Sequence, residues 1–447
     1  MRKMKDSGIE WIGEIPENWS VGKTLYGLSM PITDGPHETP ELYEEGIPFV
    51  SAEAVSNGNG KIDFEHIRGY ISKEYYDECC KKYTPAINDI YMIKSGATTG
   101  KIALVDTKEI FTIWSPLAVF RCNKNKCYYK YLYYVLQSDC YQKQIENGWS
   151  FGTQQNIGMR ILEKLLICYP EIQEQARIAD YLDQKCAEID AIIAAKEKTN
   201  ELLKERRQSI IYEAVTKGLD PTVPMKDSGI EWIGEIPESW DVCPVKYVID
   251  KNHPYPVGDG DHGLIKADDY LDEGIPYIRV LNLTWGEGLN LENLVYISDE
   301  MNSRIKNSEL KPNDILIAKT GATIGKTAIV PVSLPRSNTT SHVGKITISS
   351  DHNAVFFYYV MTSSIVQKQI QDLSAMQSTR PELGIDGLRN LLVVVPPVEE
   401  QQDISEFLNQ QCAEINSVID TNKSMIDKLK EYRQSVIYEA VTGKVEI

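Results

Sequence analysis

The stretch KDSGIEWIGEIPE occurs twice in this chain, beginning at Lys5 and again at Lys226. Chance does not supply a thirteen-residue identity in 447 residues, so the fold must contain a duplicated building block or a joint that is made twice. Aligning the halves at an offset of about 225 extends the match far beyond this stretch. DGPH (Asp34 to His37) faces DGDH (Asp259 to His262), and EGIPFV from Glu45 faces EGIPYI from Glu273. NDIYMIKSGATTGKIALV from Asn88 faces NDILIAKTGATIGKTAIV from Asn313, and YYVLQSDCYQKQI from Tyr133 faces YYVMTSSIVQKQI from Tyr358. ERRQSIIYEAVTKG from Glu205 faces EYRQSVIYEAVTGK from Glu431, so the chain reads as a unit A-B written twice.

The A segments, about 17–170 and 239–397, mix short β-rich runs such as DIYMIKSG and KIALV with Gly and Asn turns. A helical stretch near YYKYLYYVLQSDCYQKQI completes each, and the strands and turns match between copies while many loops do not. The B segments differ in kind. From Glu171 to Thr216 there is no Pro or Gly, and Leu182, Cys186, Ile189, Ile193, Leu203, Ile210 and Ala214 recur in alternating steps of four and three. Polar Lys196, Asn200 and Arg207 share that seam. The second copy places Leu408, Cys412, Ile415, Ile419, Asn422, Ile426, Leu429, Arg433, Val436 and Ala440 on the same seam. This heptad pattern predicts two helices of about 45 residues, roughly 70 Å long, that bury their seams against each other. Antiparallel pairing, with Lys196 and Asn422 near a pseudo-twofold axis, brings both copies of KDSGIEWIGEIPE to the same kind of joint, with Trp11 and Trp232 as the expected apolar anchors.

A hydrophobic content of 42% with 25% charged residues describes a soluble globular protein, and a chain this long predicts two to four domains of roughly 100 to 200 residues. No apolar run of about 18 residues predicts a membrane span, and MRKMKDSGIE lacks the apolar core of a signal peptide, so the default location is cytoplasmic. The nine cysteines are scattered, and the densest group, Cys79, Cys80, Cys122, Cys127 and Cys140, has no counterpart in the second half. They read as free thiols rather than a metal site or a disulfide framework. The net charge of −17 argues against a simple nucleic-acid binder. The acid is unevenly placed, however: residues 17–170 carry 16 basic and 18 acidic side chains, whereas residues 398–447 carry 5 and 10.

GATTGK and GATIGKT invite comparison with a phosphate-binding loop, yet only three residues separate Gly321 from Gly325 where that motif requires four. A tight turn between strands is the plainer reading, with Lys94, Ser95, Thr98, Thr99 and Lys101, or Lys319, Thr320, Thr323 and Lys326, available to a ligand. The DGxH loops offer His37 and His262, with no recurring Ser or Cys nucleophile beside them. Thr153, Gln154 and Gln155 in GTQQN, and Gln377, Ser378, Thr379 and Arg380 in QSTR, carry the amides and guanidinium suited to adenine and guanine edges. Helix capping by Asn156 is the competing use of the first of these stretches. A DNA methyltransferase needs an Asn/Asp-Pro-Pro-Tyr/Phe motif, and the Pro pair Pro396-Pro397 is flanked instead by Val395 and Val398.

Two strand-rich units separated by two long antiparallel helices closely resemble the specificity subunit of type I restriction-modification enzymes. The resemblance rests on DGPH…EGIPFV, KSGATTGK, FGTQQNIGMRILEKLLICYPEIQEQARIADYL and KDSGIEWIGEIPE, each with its second-half partner, and it covers essentially the whole chain. FGTQQNIG matches MQSTRPELG (Met376 to Gly384) only loosely. The resemblance implies an α+β fold: a first target-recognition domain over 1–170, a spacer helix over 171–217, a linker and second target-recognition domain over 218–397, and a second spacer helix over 398–447. It implies that each A unit reads one half of a split double-stranded DNA target, for which the residues named above are the candidates, and that the helices form an antiparallel coiled coil that sets the gap. It implies a non-catalytic role, the recruitment of two modification subunits that methylate adenine with S-adenosylmethionine, and of restriction subunits that use ATP and Mg. A coiled-coil scaffold without DNA reading, or a self-contained DNA methyltransferase or NTPase, are the alternatives.

Overall fold

The computed structural model describes residues 2–149, 155–260, 262–334, 336–375 and 382–447. The chain divides into two compact units, Met1–Lys196 with Ser424–Ile447, and Glu197–Lys423. The division falls inside the two long helices, Ile172–Lys217 of 46 residues and Val398–Val441 of 44. Each unit therefore owns the first half of one helix and the second half of the other.

In the first unit the chain opens on a hairpin, Met4–Asp6 against Glu14–Pro16, with Lys5 opposite Ile15. Gly8 and Gly13 close it at φ of 73° and 70°, a region glycine enters without steric cost, and the Asp6 carboxylate accepts the Gly8 N–H at 2.9 Å. The second copy repeats this as Met225–Asp227 against Glu235–Pro237, with Asp227 on the Gly229 N–H at 2.9 Å. The deep anchors of the joint lie just beyond the repeated stretch, although Trp11 packs against the edge of the first unit's core. Trp11 is only half-buried and Trp232 is 43% exposed, whereas Trp19 and Trp240, just beyond, are fully buried beside Ile12 and Ile15 or Ile233 and Ile236. The hairpin presents its isoleucines inward and leaves the intervening Trp at the turn, where solvent reaches it.

Each buried tryptophan docks on the start of a long helix. Trp19 Nε1 donates to Glu174 Oε2 at 3.1 Å, and Trp240 Nε1 donates to Glu400 Oε2 at 2.8 Å. The following glutamine ties the same helix start to the body of its unit: Gln175 accepts the Tyr128 N–H at 2.8 Å, and Gln401 accepts the Asn353 N–H at 2.9 Å. The other helix arrives with its C-terminus. Gly443, at φ 72°, passes so close that an added Cβ would lie 2.5 Å from Pro16, and Gly218, at φ 75°, ends the first helix against Trp240. The joint is thus made twice, each time from one helix beginning, one helix end and one hairpin.

A four-stranded antiparallel sheet forms the centre of the first unit, in the order Thr33–Asp34, Leu117–Phe120, Ile90–Ile93, Ile102–Leu104. Its two middle strands are buried on both faces, and alternate residues enter different cores, as the period of two in a strand requires. Ile90, Met92, Ala118 and Phe120 join an inner core with Leu182, Cys186, Val436 and Ala440 of the long helices, while Tyr91, Ile93, Leu117 and Val119 join an outer core with Val50 and Ile113. The second unit repeats the plan in the order Val257–Asp259, Val343–Ile346, Ile315–Ala318, Thr327–Ile329. A smaller three-stranded sheet adjoins each, Tyr70–Ile71, Ile47–Val50, Thr112–Ile113 in one and Val295–Ile297, Ile275–Ile278, Asn338–Thr339 in the other.

Within each unit the helix halves run antiparallel. Ile189 and Ile193 pack with Ile426 and Leu429 in the first, and Leu408 and Cys412 share a core with Ile211 and Ala214 in the second. The seam expected from the heptads is buried at Leu182, Cys186, Ile189, Ile193 and Ala214, but Ile211 takes the buried position expected of Ile210. A straight helix drifts against a strict seven-residue repeat, which moves the contact stripe by one residue over several turns. Asn422 finds its buried partner in Asn200, with Nδ2 donating to Oδ1 at 2.9 Å.

Candidate nucleic-acid interface

The DGxH loop leaves the edge strand of the four-stranded sheet at Asp34 or Asp259, and both carboxylates are buried. Gly35 and Gly260 follow because nothing larger fits: an added Cβ would lie 2.0 Å from the carbonyl oxygen of Ile113 or Thr339. In the first unit the Asp34 carboxylate holds Lys82, Lys94 Nζ at 3.3 Å and His37 Nε2 at 3.2 Å. In the second, Asp259 pairs with Lys319 and lies 3.1 Å from His262 Nε2. The two imidazoles are 70% and 69% exposed at the side chain. Each unit therefore builds the same Asp–Lys–His arrangement, in which a buried carboxylate holds a lysine beneath and aims a histidine outward.

Lys94 and Lys319 open the loops that join a middle strand to the edge strand beside it, Lys94 to Lys101 and Lys319 to Lys326. Gly96 N–H donates to the Gln155 carbonyl at 3.0 Å, Thr99 N–H to Gly96 at 3.1 Å, Gly100 N–H to Ile93 at 2.8 Å and Lys101 N–H to Thr98 at 3.2 Å. A phosphate cradle needs such amides converging on the anion; here they are committed to carbonyls, so the loop is a tight turn. It is clamped from outside by a residue the sequence reading missed. Gln142 Nε2 donates to the Gly100 carbonyl at 3.2 Å and to Leu136 at 2.6 Å, and Gln367 does the same to Gly325 at 2.9 Å and Met361 at 2.8 Å. The signal was the QKQ shared by YQKQI and VQKQI, whose second glutamines, Gln144 and Gln369, accept from and donate to Leu166 and Leu392.

Of the residues expected at an interface, Thr98 and Thr99 are half-buried and Lys101 is exposed, its Nζ 3.4 Å from the Ser56 carbonyl. Ser95 bridges to Asn156, and its counterpart Thr320 bridges to Glu382, which aligns the loosely matched loops; Gln155 is exposed beside them. The helix that follows Asn156 has Gly158 at its N-cap. Thr320 Oγ1 lies 2.9 Å from His342 Nδ1, and Thr323 and Lys326 are half-buried. Lys319 is placed differently from the expectation of a presented cation: its side chain is 3% exposed and its charge is matched by Asp259. Lys94, at 13%, is held in the same way. Thr153, Gln154, Gln377, Ser378, Thr379 and Arg380 lie outside the described residues. Asp34 and Asp259, which organise both loops, were not singled out by sequence, although Asp is common to DGPH and DGDH.

The units differ around this shared frame. Beneath the second lies a further buried ammonium, Lys345, donating to the Glu309 carbonyl at 2.7 Å and 4.0 Å from Asp314; burial pushes its pKa down, and burial pushes that of Asp314 up. In the first unit the equivalent carboxylate, Asp89, pairs with Arg121 at 2.6 Å instead. Among the described residues no group of His, Cys, Asp or Glu could hold a metal ion, and no helix is long and apolar enough to cross a membrane.

A family model described as type I restriction modification DNA specificity domain matches residues 36–204 and again 259–426. The chain is 27% identical over 320 residues to the specificity subunit of the Escherichia coli type I restriction enzyme EcoBI, a match that covers 71% of this chain and 65% of that protein's length. It is 23% identical over 392 residues to the type I restriction enzyme MjaVIII specificity subunit of Methanocaldococcus jannaschii, covering 86% of each. A solved chain from work on the complex assembly and conformational transition of a type I R-M system matches with a TM-score of 0.68 at 15% identity, over 96% of this chain and 99% of that one, which is a likeness of fold. With one match taking in the first clamped turn and the greater part of the first long helix, and the other taking in their second-half counterparts, the chain belongs to the type I restriction-modification DNA specificity domain family and carries its domain twice.

Proposed function

We propose that this chain is the DNA-reading subunit of a type I restriction-modification complex, with each unit reading one half of a split double-stranded target and the long helices setting the unread gap. The observation that carries this reading is the Asp–Lys–His arrangement on a glutamine-clamped turn, built twice while the loops around it differ. A shared frame suits the invariant part of DNA, its backbone, and divergent loops suit the part that varies, the base edges. The deeply acidic balance of the chain is consistent with a protein that holds DNA as part of a larger assembly.

The chain itself is non-catalytic in this reading. His262 hydrogen-bonds the buried Asp259 carboxylate and His37 lies 3.2 Å from that of Asp34, and several amides of each glycine-rich turn donate to carbonyls, which supports a positioning role for both. Methyl transfer from S-adenosylmethionine belongs to two modification subunits, and ATP- and Mg-dependent translocation and cleavage to restriction subunits. The complex acts in the cytoplasm, where its DNA is.

Exchange of one unit tests the proposal. Replacing residues 17–165 with the matching segment of another family member, and mapping methylated sites in a host carrying the partner subunits, is expected to change one half of the recognised sequence and leave the other intact. A change in both halves would overturn the assignment of one half to each unit.

A further inference from the structure

The two units can be compared position by position at the strand end that runs between the DGxH loop and the clamped turn. In the first unit this segment is Trp114-Ser115-Pro116, and in the second it is Thr340-Ser341-His342. The equivalence is set by hydrogen bonds: Trp114 N–H donates to Val50 at 3.0 Å as Thr340 N–H does to Ile278 at 3.2 Å, and Lys94 N–H donates to Pro116 as Lys319 N–H does to His342, both at 2.8 Å. Ser115 N–H also reaches the Pro36 carbonyl, at 3.2 Å, which puts Trp114 directly beside the loop carrying His37.

The Trp114 ring packs near Phe49, with centroids 6.3 Å apart, and carries the guanidinium of Arg68 over its face, with Cζ 4.0 Å from the ring centroid. Arg68 is exposed, and among the described residues it has no carboxylate or carbonyl partner. The strand registers, Ile47 opposite Ile71 and Ile275 opposite Ile297, place Leu294 where the first unit has Arg68. Neither the arginine nor its aromatic platform exists in the second unit at these positions. The second unit's own stacked arginine, Arg279 over Tyr270 at 5.6 Å, instead donates to the Asn293 carbonyl at 2.9 Å.

An arginine stacked on an indole keeps its planar fork of donors fixed in direction. Such a fork matches the O6 and N7 acceptors of guanine in the major groove. An exposed arginine without a carboxylate, found in one unit and replaced by leucine in the other, has the properties of a base reader rather than of a part of the common frame.

Resting on the reading of the chain as a DNA-specificity subunit, we propose that Arg68, held in plane by Trp114, is a specificity-determining residue of the first unit and takes a guanine in the half-site that unit reads. The test uses the full chain in complex with its modification subunits, and duplex DNA carrying the site mapped by methylation sequencing, with each base pair of the first unit's half changed in turn. The unaltered complex is expected to reject a change at one G·C pair by about 10- to 100-fold. Arg68→Ala abolishes that rejection and leaves the preferences for the other half unchanged. Arg68→Lys, which keeps the charge and loses the fork, abolishes it too. An unchanged preference profile in Arg68→Ala overturns the proposal. So does a uniform weakening for all duplexes with the salt slope reduced by about 1, which identifies a phosphate contact. An unaltered complex with no split-site preference brings down the underlying reading as well, and is distinguished from the other outcomes by being visible before any substitution is made. The thermal midpoint of each variant verifies folding, since Arg68 is exposed.

Discussion

Asp259 shows how a single residue organises the site. It is buried, it faces an ammonium that is itself 3% exposed at the side chain, and it aims an exposed imidazole. Removing one partner of a buried ion pair leaves the other charge uncompensated, which typically costs about 3–5 kcal/mol. Lys319→Met is therefore expected to lower the stability of the second unit by about that amount, measured by denaturant unfolding. Asp259→Asn combined with Lys319→Met removes both charges and is expected to recover most of the loss, because the desolvation of two ions is then no longer required. A double variant as unstable as the single one would show that the pair is not the source of the effect. The same substitutions in the first unit should be milder, because Lys94 is more exposed and Lys82 shares Asp34 with it.

At the scale of the element, the long helices are apolar seams interrupted by a few polar residues, and most of their polar atoms are matched, although Arg207 Nε is buried without a hydrogen-bond partner. Arg207 Nη1 donates to Asn416 Oδ1 at 2.6 Å and Nη2 to the Trp285 carbonyl at 3.0 Å, while Arg433 Nε donates to Asp190 at 3.0 Å. The Asn200–Asn422 pair is buried, each residue 8% exposed. Asn422→Ala strands the Asn200 side-chain carbonyl in the seam, which is expected to cost about 1–3 kcal/mol. Replacing both asparagines with leucine is expected to restore or raise stability, since an apolar seam needs no polar match, but to weaken the preference for one register. Denaturation midpoints check the first expectation, and hydrogen exchange along the two helices checks the second. Equal losses in the single and double variants would refute the pairing.

For the whole molecule, the long helices are continuous from Ile172 to Lys217 and from Val398 to Val441, each passing from one compact unit into the other. If they act as a ruler, four residues inserted after Lys196 would lengthen the first helix by about 6 Å, close to two base steps of roughly 3.4 Å, while nearly keeping the helical phase of the seam. The recognised halves are expected to stay the same and the unread gap to grow, by one base pair where the strain is shared and by two at most. Methylation mapping before and after the insertion measures this. An unchanged gap with full activity would show that spacing is set elsewhere.

What the sequence determined by itself was whatever is written twice or written periodically. The duplication, the strand-rich A segments, the helical B segments and their apolar seams all follow from local pattern, because a strand or helix face is specified by spacing along the chain. The clamped turn was legible as a turn for the same reason, since its glycines sit at positive φ in both copies. Tertiary structure decided which residues meet across distance. That Asp34 holds Lys94, that Gln142 clamps Gly100, that Trp19 rather than Trp11 plugs the joint, and that Asn422 pairs with Asn200 depend on segments tens to hundreds of residues apart. A carboxylate in a Gly-rich loop looks the same in sequence whether it faces water or a buried ammonium, and only packing, which removes the water, makes the difference.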